Sequence, residues 1–79
     1  MRDIDKLSGL NQGERAFVSD IHSNDSIRRR LQDIGLIEGT NVTCVNKSPL
    51  GDPIAYLIRG AVIALRREDS SCVLIRNTD

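Results

Sequence analysis

The sequence predicts a mainly β fold: a small twisted barrel of about five short strands, with one short α-helix inserted between the first and second. Three observations predict it. Short aliphatic runs with period-two alternation recur along the chain, turn-forming Gly, Pro, Asn and Asp separate them, and one stretch alone has the apolar spacing of a helix. At 79 residues the chain can bury one hydrophobic core and no second, so residues 1–79 are read as a single domain. Hydrophobic residues at 39% and charged residues at 28% are the balance of a globular domain rather than of a disordered tail.

The elements follow in order. Turn formers at Ser8, Gly9, Asn11 and Gly13 limit the opening segment to a single helical turn over Asp3 to Leu7, with Leu7 and Leu10 tucked onto the core. Glu14 to His22 reads as strand one, because Phe17, Val18 and Ile21 stand among polar neighbours, with an interruption or a bulge near Asp20. In "SNDSIRRRLQDIGL", Ser23, Asn24 and Asp25 supply capping side chains, and Ile27, Leu31 and Ile34 share one helical face. Gly35 ends that helix in the left-handed conformation.

A turn at Glu38 and Gly39 leads to strand two, where Val42 and Cys44 alternate with Thr43 and Val45. Ile54 to Arg59 and Val62 to Leu65 form a hairpin about Gly60. "RREDSS" reads as a polar connector and "CVLIR" as the last strand. The sequence holds no internal repeat and no low-complexity tract.

Charge and composition exclude several functions. Eleven basic residues against eleven acidic ones give zero net charge, so no overall field draws the chain to nucleic acid or to an anionic membrane. Phe17 and Tyr56 are the only aromatic residues, too few to stack bases or to line a groove for proline-rich peptides. The start "MRDIDKLSGL" interleaves acids with bases and resembles neither a secretory signal nor a spanning segment, so a cytoplasmic location is expected. One histidine, no nucleophile elbow and no paired-carboxylate motif argue against an enzyme. No cofactor is expected.

Cys44 and Cys72 lie in apolar, strand-like runs and read as reduced cysteines packed as small hydrophobes. Asp20, His22 and Asp25 are close enough in sequence to hold a metal ion, with Asp3 or Asp5 as further oxygen donors. The plainer reading is an exposed loop histidine among acids. Arg28, Arg29 and Arg30 cover much of the helix circumference, either as a solvated face or, beside Leu31, as a docking element for an acidic partner surface.

The loop "SPLGDP" invites a phosphate or a metal, and its residues suit neither. Two prolines remove amides, a strand follows instead of a helix, and Asp52 has no further oxygen donors close by. It reads instead as a stiff turn: Pro49 and Pro53 fix backbone angles, Gly51 takes a left-handed conformation, and Asp52 accepts hydrogen bonds from nearby amides. Leu50 is then an apolar side chain at the tip of a rigid loop, a point of protein contact.

The order of "RRRLQDIGLIEGTNVTCV", "SPLGDPIAYLIRG" and "AVIALRRED" resembles the FeoA family of small ferrous iron transport proteins over about residues 7 to 76. Leu31, Ile34, Gly35, Leu36, Gly39 and Thr40 match the helix end and turn. Ile34 stands for a more usual leucine and Glu38 for a common proline. Pro49 to Pro53 match the loop without change, and Gly60, Ala64, Leu65 and Arg66 match the second hairpin strand. The resemblance implies an SH3-like β-barrel, in the free-standing form, that serves as an accessory of FeoB, a membrane transporter with a cytosolic GTP-binding domain.

The expected partner-binding residues are Arg28, Arg29, Arg30 and Leu31 on the helix and Leu50, Asp52 and Pro53 on the loop, with Gly35, Gly39, Gly51 and Gly60 as structural turns. Two alternatives stand beside simple docking. One is a GTPase activator that inserts an arginine such as Arg29 into the nucleotide site. The other is an Fe(II) sensor using Asp20, His22 and Asp25, or Cys44 and Cys72.

Overall fold

The computed structural model describes residues 5–77. The element order is a 3₁₀ turn at Leu7–Gly9, β1 (Arg15–Ile21), α1 (Asp25–Asp33), β2 (Asn41–Lys47), β3 (Ile54–Ile58), β4 (Ala61–Leu65), α2 (Arg67–Ser70) and β5 (Val73–Asn77). The strands form one antiparallel sheet in the order β4-β3-β2-β1-β5. All five expected strands are present, and α1 lies between β1 and β2 as the spacing predicts. The hydrogen-bonded sheet runs open from β4 to β5 rather than closing into a full barrel.

The predicted bulge near Asp20 is real and has a purpose. Along β1 the pairing with β5 slips between Val18 and Asp20, and burial changes from Ala16 and Val18 to Ile21. Strict alternation would put Asp20 into the core and Ile21 into water; the extra residue reverses both. A second slip at Val45, between Cys44 and Asn46 of β2, follows the buried pair Val42 and Cys44.

Asn24 caps α1 by accepting the Ile27 N–H at 2.9 Å. At the other end Leu36 N–H donates to Leu31 C=O (3.1 Å) and Gly35 N–H to Gln32 C=O (3.0 Å), with Gly35 at φ 110°. This is a Schellman motif, and its usual apolar contact is supplied by Leu31 and Leu36, both fully buried. At the other hairpin, Ile58 pairs with Ala61 across two residues at positive φ, Arg59 (51°) and Gly60 (86°). Positive φ at both positions marks a type I′ turn.

Two local expectations change. The opening helical turn lies at Leu7–Gly9 rather than Asp3 to Leu7, because Lys6 is extended and bridges to Leu74; Asp3 lies outside the described residues. "RREDSS" is not a featureless connector but contains the four-residue helix α2. Its Ser70 is fully buried and donates to Arg67 C=O at 3.1 Å.

Candidate functional site

The 48–53 loop is built from its own backbone. Gly51 N–H donates to Ser48 C=O at 2.7 Å, closing a β-turn with Pro49 second and Gly51, at φ 81°, fourth. Ser48 Oγ donates to Pro53 C=O at 2.8 Å. Leu50 is 94% exposed, the most exposed large apolar residue described. Pro53 is also exposed.

Asp52 does more than brace its own loop. Its Oδ1 accepts the backbone N–H of Arg67 at 3.0 Å, so the amide it serves lies at the start of α2. That N–H has no partner within a helix, and Arg66 at the cap position offers it no side chain. Arg67 returns toward the loop, its Nη1 at 3.3 Å from where a β-carbon on Gly51 would stand.

The three arginines of α1 have different surroundings. Arg30 pairs with Asp69 of α2 at 3.0 Å and Arg28 lies 3.7 Å from Asp20, whereas Arg29 has no ion pair among the described residues. Leu31, expected to touch a partner, is 1% exposed and belongs to the core. Its place beside the arginines made it look like a docking residue, but its position at i+4 from Ile27 is the one that faces the core.

Helix α2 therefore ties both candidate surfaces together, Arg67 holding the Leu50 loop through Asp52 and Asp69 holding α1 through Arg30. Sequence reasoning missed Arg67 and Asp69. The available signal was the pair of acids, Glu68 and Asp69, in the first turn of a helix.

The other candidates are only partly assembled. His22 Nε2 meets Asp20 Oδ2 at 3.2 Å, but Asp25 does not complete a set with them: among the described residues no three His, Cys, Asp or Glu gather as metal ligands. Asp20 is held below the usual carboxylate range, first by the Ile21 N–H it accepts and then by His22 and Arg28. With Arg28, Gln32 and Glu38 it lines a cleft of about 210 Å³ between β1 and α1. Cys44 is buried and Cys72 half-buried, both free. Burial pushes the Cys44 thiol up, away from the thiolate that a metal needs.

A family model, the FeoA domain, matches residues 6–77. The chain belongs to the FeoA family. A curated relative, the Fe(2+) transport protein A/Fe(2+) transporter FeoB fusion protein of Porphyromonas gingivalis, is 33% identical over 66 residues, 84% of this FeoA chain. The chain spans 8% of the length of that relative. The solution structure of FeoA from Chlorobium tepidum superposes with a TM-score of 0.86 at 34% identity, covering 94% of this chain and 70% of that one. FeoA of Stenotrophomonas maltophilia, described as a procaryotic SH3 domain protein, gives 0.79 at 32% identity over 90% and 88% of the two chains. The fold of this FeoA chain is accordingly SH3-like, with its sheet left open at β4 and β5.

Proposed function

We propose that this FeoA chain is a non-catalytic accessory of a FeoB-type ferrous iron transporter, which it meets in the cytoplasm by docking on the transporter's cytosolic GTP-binding part. The observation that carries the reading is the bracing by α2, which bonds to the loop that carries the exposed Leu50 through the Arg67 amide and to α1 through Asp69. An exposed apolar tip and, on α1, an arginine without an ion pair among the described residues suit a partner surface with an apolar pocket and acidic groups. The fusion of an FeoA portion to FeoB in the Porphyromonas gingivalis relative supports the choice of partner. Among the described residues no helix is long and apolar enough to cross a membrane.

Capture of the transporter's isolated cytosolic domain by this chain, compared with the variants Leu50→Ser and Arg29→Glu, tests the reading. Each variant should weaken capture while leaving the fold intact. Undiminished capture by both would remove this surface from the interface.

A second reading is favoured by one observation: among the described residues, Arg29 is the arginine of the three that no carboxylate holds. In that reading Arg29 reaches the transporter's bound nucleotide and stabilises charge developing on the phosphate. GTP turnover by the isolated domain would then rise steeply on adding this chain and fall back with Arg29→Ala. Turnover unchanged by the wild-type chain would leave docking alone.

A further inference from the structure

The two edges of the sheet are treated differently. Beyond β5, Lys6 bridges to Leu74 and Ile75 N–H donates to Asp5 C=O at 3.0 Å, so the chain's own start covers that edge. Beyond β4 no described strand pairs. The hairpin register sets which groups are left open: Ile58 and Ala61 close the turn, so hydrogen-bonded pairs fall at 61, 63 and 65. The backbone N–H and C=O of Val62 and Ala64 therefore point away from the sheet.

Exposed edges are commonly blunted by a charge, a proline or a bulge. "AVIAL" has none of these, and its pairing with β3 is regular from Ile54 to Ile58. Val62 is 64% exposed and stands opposite Leu57, 39% exposed, which in turn stands opposite Thr43 of β2. A partly apolar row thus runs across the outer face up to the open edge.

Charge decides what fits there. Arg59 precedes the strand and Arg66 and Arg67 follow it, and none has an ion pair among the described residues. In the register that sets Val62 opposite Ala64, an antiparallel second copy would bring Arg59 opposite Arg67 at both ends. Like charges facing across strands oppose that pairing.

We propose that β4 is a docking edge for an extended segment of a partner protein, apolar at alternate positions and bearing carboxylates near both ends, which adds to the sheet as a further strand. Backbone hydrogen bonds from Val62 and Ala64 supply the pairing, and the flanking arginines select the acidic ends. This edge adjoins the α1 and Leu50-loop elements through Arg59 and Arg67, and its test does not require the partner to be the transporter.

The test is a titration of the ¹⁵N-labelled chain with a blocked synthetic peptide, Asp-Glu-Val-Thr-Val-Thr-Val-Glu-Asp, followed by NMR. The Val62 and Ala64 amides should shift and gain protection from exchange. The same peptide with Lys at every acidic position should bind about tenfold more weakly or worse, and one N-methylated at alternate residues should not bind. Val62→Pro removes an outward N–H that β3 does not use and should abolish the response; the peptide arms on the wild-type chain decide the matter even if that variant does not fold. A silent β4, equal binding of the lysine peptide, or Val62 and Ala64 protected without peptide in a concentration-dependent dimer would each overturn the proposal.

Discussion

The side chain of Arg59 lies across Gly35, its Cδ only 2.6 Å from the point that a β-carbon on that glycine would occupy, with Ile58 Cγ2 at 3.3 Å. The β3–β4 turn thus closes on the end of α1, and two demands meet at Gly35: positive φ and close approach. Gly39 also has positive φ, 89°, but has no atom within 4 Å of that point. Gly35→Ala should therefore cost about 2–3 kcal/mol and Gly39→Ala about 1 kcal/mol in urea unfolding. Adding Arg59→Ala to Gly35→Ala should restore part of the loss, the steric part, while the φ strain remains. Equal costs at the two glycines would show that the Arg59 contact relaxes freely.

Tyr56 is fully buried and donates its hydroxyl to Leu7 C=O at 3.3 Å. Burial is the main cause that pushes its ionisation up to about 12. An unfolded tyrosine loses its proton near pH 10, so between pH 10 and 12 the folded chain binds more protons than the unfolded one. Stability from this group is complete below pH 10 and falls as pH rises to 12, by at most about 3 kcal/mol. Tyr56→Phe should cost about 1 kcal/mol at neutral pH and remove that alkaline slope. Tyr56 is the chain's one tyrosine, so absorbance at the tyrosinate band reads its titration directly.

The strands, α1 and its glycine stop were legible because each rests on local spacing: alternation at Val42 and Cys44, helical spacing at Ile27, Leu31 and Ile34, positive φ at Gly35. Even the Asp20 bulge could be read, since Asp20 and Ile21 break the alternation. Contacts between distant segments were not legible. Nothing near Asp52 in sequence shows that its acceptor serves Arg67, fifteen residues on, or that Arg30 meets Asp69. Leu31 was misplaced for a related reason: a leucine beside three arginines reads equally as rim or as core until the sheet beneath it is known.

Asp52 carries the link between the loop and α2. Asp52→Ala should lower stability by about 1 kcal/mol and expose the Arg67 amide, which hydrogen exchange would register as loss of protection. Asp52→Asn keeps an acceptor oxygen and should recover most of both. Loss of protection in the Asn variant equal to that in Ala would mean that the carboxylate charge, and not the hydrogen bond, holds the loop.

Arg29 and Arg30 are neighbours in sequence with separate duties, and charge reversal should tell them apart. Arg30 meets Asp69, whose side chain is only 13% exposed, so Arg30→Glu sets two carboxylates together and should destabilise the fold by about 1 kcal/mol. Arg29 has no such pair among the described residues, and Arg29→Glu should leave the unfolding midpoint within about 0.5 kcal/mol of wild type. If the α1 face docks on an acidic surface, Arg29→Glu should still weaken capture of the FeoB cytosolic domain about tenfold, with a smaller effect as salt rises. Lost binding with unchanged stability is a combination that a merely structural arginine cannot produce. Unchanged binding would confine the interface to the Leu50 loop.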